Sequence, residues 1–267
     1  MTRRSLLFAG TAAVLATRLS PPAFALPATV ASTVGEIPAG GNWLRFAQTD
    51  AIVAWPAYLR SLPLLPTGNP VLDYRGNPTG MDPLRVVNLP LVAGDLQQCA
   101  DSVLRLRASF VRTQGGDPAF RYTSGFVSRW SSWAKGDRPR VHGNLVKVTA
   151  TGKEDGSDAA FEAWLADLFM YAGIYSLMRD TVAVDGGPPN VQPGDVVGYG
   201  GSPGHAVLIL DTAREGDQLY ILVGQGFMPA QSFHVCKGPV AGWFPVGGDT
   251  LLTQPLAVPW KGLRRFT

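Results

Sequence analysis

Apolar residues recur at helical spacing most clearly in one stretch. Leu96, Cys99, Val103, Leu106 and Phe110 follow one another at steps of three, four, three and four, which aligns them in a single stripe facing a core. Gly94 precedes the stripe, Asp95 is a candidate N-cap, and Gln98 three residues on completes an Asp-x-x-Gln capping box, so the helix is expected to begin directly after Gly94. Asp101, Arg105 and Arg107 fall off the stripe, as suits a solvated face or buried ion pairs. A second helical pattern spans about residues 159 to 179. It carries Phe161, Trp164, Leu165, Leu168, Tyr171, Ala172 and Tyr175, an apolar face wide enough to predict deep burial.

Elsewhere the pattern shortens. From Trp43 to Pro90, brief apolar runs alternate with turns such as Pro66-Thr67-Gly68-Asn69-Pro70 and Arg75-Gly76-Asn77-Pro78, which predicts short strands and loops. Residues 120 to 148 read as two or three strands in which Phe126, Arg129, Trp130, Trp133, Lys135, Arg138 and Arg140 cluster. Past residue 190 four strands are predicted, over 196–199, 204–211, 219–223 and 232–236, with Pro, Gly and Asp between them. Helices followed by an antiparallel sheet give an α+β fold, expected as one domain over residues 43–267. Residues 26–42, rich in Pro, Gly, Ala and Thr, are expected to be a flexible lead-in.

The N-terminus changes the reading of charge. Arg3-Arg4 precede an apolar stretch from Leu6 to Ala16, then Pro21-Pro22 and Ala23-Phe24-Ala25 supply a break and a small-x-small cleavage site. About eleven apolar residues fall short of the ~20 that span a bilayer, so residues 1–25 are expected to be a cleaved signal peptide of twin-arginine type. The expected location is the periplasm or the exterior. The leader holds Arg3, Arg4 and Arg18 and no acidic residue, so the formal +3 of the whole chain falls to zero on cleavage. A neutral mature protein has no electrostatic claim on nucleic acid or anionic lipid, and no later run is long enough for stable membrane insertion.

Two cysteines, Cys99 and Cys236, and three histidines, His142, His205 and His234, limit the thiol chemistry available. Cys99 near a helix N-terminus is the better nucleophile, since the helix dipole favours a thiolate, whereas Cys236 ends a strand. A buried inert thiol and a Cys99–Cys236 disulfide are the competing readings. His205, at the mouth of a strand after Gly200-Gly201-Ser202-Pro203-Gly204, is a candidate base. Gln225, just past the next strand, is a candidate to orient its ring, with Asp211 and Gln231 as alternatives. His234 and Cys236 alternate on one strand, but two ligands make a poor zinc site; no metal or cofactor is called for. Trp130, Trp133, Arg138 and Arg140 are candidate substrate-binding residues, because Trp stacks on sugars and Arg forks onto carboxylates; a β-hairpin with a tryptophan core is the competing reading.

Gly194-Asp195-Val196-Val197 and Gly204-His205-Ala206-Val207 resemble the Gly-Asp and Gly-His signature of papain-like peptidoglycan amidases and endopeptidases of the CHAP and NlpC type. Across nearly the whole mature chain the sequence is also similar to the bacterial family called domain of unknown function 4846. That likeness is carried by Gln97-Gln98-Cys99-Ala100-Asp101 with Arg105-Leu106-Arg107, by Met170-Tyr171-Ala172-Gly173, by Pro203-Gly204-His205-Ala206-Val207 and by Met228-Pro229-Ala230-Gln231. The amidase resemblance implies a papain-like arrangement of helices on an antiparallel sheet and a Cys99–His205–Gln225 triad acting on an amide, with peptidoglycan or another peptide as substrate. Two departures stand out: Ala100-Asp101 follow the cysteine where amidases carry Ser, Thr or an aromatic residue, and Cys99 falls four residues into its expected helix. The alternative is a non-catalytic binding protein on the same scaffold, using the Trp130–Arg140 region.

Overall fold

A computed structural model describes residues 32–46, 54–201 and 204–267. The proposed signal peptide lies outside the described residues. The expected lead-in is described from Ser32, and there it is built into the fold: Ser32–Thr33 pair with Pro63–Leu64 and Val34 is fully buried. Valine and isoleucine at positions 34 and 37 give this Gly- and Pro-rich stretch enough apolar surface to dock.

Five helices are present among the described residues: α1 (Ala54–Arg60), α2 (Cys99–Thr113), α3 (Trp130–Ala134), α4 (Asp158–Tyr171) and α5 (Ile174–Arg179). Seven strands form the path of the main sheet: β1 (Pro83–Val86), β2 (Val182–Ala183), β3 (Val196–Tyr199), β4 (His205–Glu215), β5 (Gln218–Gln225), β6 (His234–Cys236) and β7 (Leu263–Arg265). Their spatial order is β1-β6-β5-β4-β3-β7-β2 and every pairing is antiparallel. The chain is thus α+β.

The central strand β4 explains the layering. Successive side chains of a strand point to opposite faces, and its run Ala206–Leu210 is apolar throughout, as a strand covered on both sides must be. Ala206, Leu208 and Leu210 join Val103, Leu104 and Leu106 of α2 in one core. Val207 and Ile209 join Val223, Ile221, Leu251, Val258 and Trp260 in a second core on the other face. That outer face is roofed by the hairpin Thr250–Leu252 and Ala257–Pro259. Asp211, farther along β4, is held by Arg60 at 2.5 and 2.9 Å. It serves this remote ion pair and does not orient His205.

Two predicted elements differ in form. The long helix over 159–179 is two helices, broken at Ala172-Gly173 between α4 and α5; Gly173 adopts an extended conformation there. The aromatic–basic stretch is two hairpins, Ala119–Arg121 with Val127–Arg129 and Asp137–His142 with Leu145–Ala150, flanking the short helix α3.

Candidate active site

Helix α2 begins at Cys99, four residues later than its local sequence predicts. Gln98 is the N-cap, and its N–H donates to Oδ2 of Asp101 at 3.1 Å. Asp95, the expected cap, is taken by a tertiary contact: its Oδ1 accepts from Ala230 N–H at 2.6 Å and from the Gln98 amide at 3.2 Å. A long-range acceptor role has displaced a local one, and it leaves Cys99 as the first residue of the helix, where backbone N–H groups have no intrahelical partner. Cys99 therefore opens its helix instead of lying four residues in. Arg105 fixes the far side of this helix, forking onto Glu162 of α4 at 2.5 and 2.9 Å and reaching Gln97 at 3.1 Å. Arg107 spreads over the rings of Trp55, Phe110 and Phe266.

The tip of α2 meets the sheet where β4 starts and β5 ends. Gly226 makes the approach possible: a Cβ there would stand 2.5 Å from Ser102 Oγ and 2.9 Å from the Gln98 carbonyl. Across the same junction Gly204 packs under Ile174, where a Cβ would come within 3.0 Å of the Ile174 side chain and 2.9 Å of the Tyr199 carbonyl. The N–H of Ala206, within the peptide that joins it to His205, opposes the rise in the Cys99 pKa.

His205 is fully buried. Its ring lies on the face of β4 away from α2, beside Phe227 and Gln225. The protonation of this ring follows from its neighbours. The Gln254 carbonyl can only accept, and it takes the Gln225 amide nitrogen at 2.6 Å. Oε1 of Gln225 therefore faces His205 Nε2, at 2.9 Å, and Nε2 must carry the hydrogen. Nδ1 is left as the bare nitrogen of the neutral imidazole, and it has no hydrogen-bond partner, Cys99 included. Burial holds His205 below the usual imidazole range, with the Gln225 contact working against it, so the ring is neutral near pH 7.

Cys99 departs from the expected thiolate. It is 7 % exposed, and burial pushes its thiol up despite the opposing N–H of Ala206, while neighbouring Asp101 adds to the rise. Desolvation outweighs the helix dipole because a charge in an apolar wall loses more than a few aligned N–H groups return. The resting pair is a thiol and a neutral imidazole. Asp101 itself is 5 % exposed and pushed up to about 8 by burial, partly offset by backbone N–H groups.

The disulfide is ruled out: both cysteines are free. Cys236 packs in the outer core, on the face opposite α2. The four residues proposed for substrate are placed elsewhere. Trp130 and Trp133 are each 9 % exposed and belong to the inner core, Trp130 against Phe161 and Trp164. Arg138 lies over the Trp133 ring at 4.0 Å and bonds its carbonyl. Arg140 is exposed on the hairpin, as is His142. Tryptophans sealed in a core have no face to offer a sugar, so this region is a hairpin pair with a tryptophan core and not the expected binding groove.

The cleft that does reach Cys99 was not anticipated. It holds about 920 Å³ and is walled by Leu96, Met170, Tyr171, Ile174 and Met228 around Cys99 and Asp101. Its walls come from the Met-Tyr-Ala-Gly and Met-Pro-Ala-Gln motifs and from the helix break, so the signal was in the motifs, without a location. Among the described residues no helix is long and apolar enough to cross a membrane.

The model of a family described as domain of unknown function (4846) matches residues 37–263. No curated protein and no solved structure matches the chain.

Proposed function

The chain belongs to the family of domain of unknown function 4846, and from that premise we propose that it is an exported cysteine hydrolase of papain-like arrangement that cleaves an amide bond. The observation that carries the reading is the proton order at the strand mouth. Two acceptor-only or acceptor-facing contacts, Gln254 O and Gln225 Oε1, leave His205 Nδ1 bare, and Cys99 at the tip of α2 lines one cleft with Gly204, the residue before His205.

In the proposed reaction His205 Nδ1 takes the thiol proton as sulfur attacks the amide carbonyl, forming the S–C bond. The free N–H groups of the first turn of α2 face the developing oxyanion. The imidazolium then gives its proton to the leaving amine as the C–N bond breaks, and His205 next deprotonates water, which cleaves the thioester to the free acid and restores the thiol. Gln225 holds the ring in the resting state. There the His205 ring stands on the face of β4 away from α2 and its Nδ1 has no partner, so the transfer requires the ring to swing to the α2 side of the strand mouth when substrate enters.

Steady-state assay of the purified chain on a panel of chromogenic amides tests this. Turnover is expected, with Cys99→Ala abolishing it. Turnover that survives Cys99→Ala, or none on any amide while the wild-type fold is intact, would remove the hydrolase reading. The binding-protein alternative rested on a Trp130–Arg140 surface; with both tryptophans in the core, no observation favours it.

A further inference from the structure

The wall chemistry of the cleft bears on what would reach Cys99, and the inference rests on the hydrolase reading. Met170 is 52 % exposed and Met228 38 % exposed, and with Leu96, Tyr171 and Ile174 they make an apolar lip around the sulfur. Methionine side chains are flexible and fit hydrocarbon of varied shape. The charged side chains lining the cleft, Asp95 and Asp101, are both acidic; no lysine or arginine lines it among the described residues. Arg105, the cation one turn further along α2, is committed to Glu162 and Gln97. Asp101, with an unpartnered Oδ1 buried at the cleft wall, adds repulsion toward a carboxylate only as it ionises toward about pH 8.

We propose that the acyl side of the substrate is an uncharged hydrocarbon group seated between Met170 and Met228, and that carboxylate-bearing amides, acidic cell-wall stem peptides among them, are excluded. Apolar burial favours the first, at about threefold to fourfold for each methylene removed from water. The absence of any cation in the wall disfavours the second.

Alkylation of Cys99 in the full chain reads this without needing turnover. Rates at pH 8 are followed by peptide mass mapping with iodoacetamide, N-hexyliodoacetamide and iodoacetate, each scaled to its rate with a small free thiol; in every case the S–C bond forms as iodide leaves. N-hexyliodoacetamide is expected to saturate and to exceed iodoacetamide by at least tenfold, with iodoacetate at least tenfold slower than iodoacetamide. The surface variant Met170→Lys is expected to shrink both gaps several-fold. Equal scaled rates for the three reagents, or faster reaction with iodoacetate, would overturn the proposal. A decanoyl anilide and an acetyl-phenylalanyl anilide then distinguish a lipid-like chain from a peptide side chain as the occupant. Failure of both anilides with the alkylation order intact would count against the hydrolase reading alone.

Discussion

The two thiols lie on opposite faces of one sheet, and both are pushed up by burial. At Cys99 the N–H groups of Ala206, Ala100 and its own residue oppose that rise, and a cleft opens onto the site. At Cys236 only its own N–H opposes it, and apolar side chains of the outer core enclose the sulfur. Burial alone therefore does not distinguish the proposed nucleophile from a thiol of the core. What separates them is the set of donors aimed at the sulfur and the path from solvent, and both follow from the place of Cys99 at a helix tip.

The largest expected effect breaks the comparison at its chemical end. His205→Ala is expected to lower turnover by about 10²- to 10⁴-fold, the usual worth of a positioned base. Cys236→Ala is expected to leave kcat within about twofold while lowering the thermal midpoint, since it removes core packing alone. Paired steady-state kinetics and melting curves check this, and equal kinetic losses in the two variants would erase the distinction.

A smaller effect probes the junction. Gly226→Ala forces a methyl into Ser102 Oγ and the Gln98 carbonyl, which should cost about 1–3 kcal/mol, as overpacking does. Urea unfolding gives the loss. Alkylation should show the tip of α2 displaced, with Cys99 reacting faster and Cys236 unchanged.

A graded effect is expected in the pH dependence of stability. Asp101, raised to about 8 in the fold, binds more protons folded than unfolded between about pH 4 and 8. Its contribution is complete below its unfolded value near 3.9 and declines as pH rises, by up to about 1.4 kcal/mol per unit. His234, lowered to about 4, first by burial, has the opposite sign: its contribution is present above its unfolded value near 6.5 and is lost as pH falls toward 4. Between pH 6.5 and 8 the Asp101 slope stands clear of that of His234. Asp101→Asn, which keeps an acceptor for Gln98 N–H, is expected to flatten it in urea melts. A slope unchanged by the substitution would assign it to another group.

Much of the frame was legible from local pattern. The stripe from Cys99 to Phe110 is helical because its spacing puts four apolar residues on one face, and Ala206–Leu210 is a strand buried on both sides because it alternates nothing. The order of Cys99, His205 and Gln225 along the chain was readable too, with Gln225 one of three candidates for the ring contact that it makes. The start of α2 was not, because Asp95 is claimed by Ala230, 135 residues away. Nor was the burial of Trp130 and Trp133, since the same residues suit a groove or a core until α4 covers them.

The sequence by itself determined the elements whose periodicity is set by neighbours a few positions apart, and the residue types able to do chemistry. Only the tertiary structure decided that Cys99 opens its helix, that Nδ1 of His205 is the bare nitrogen, and that methionines rather than tryptophans line the approach. Each of those depends on a hydrogen bond or a packed surface between distant segments, and such contacts have no local period for a pattern to reveal.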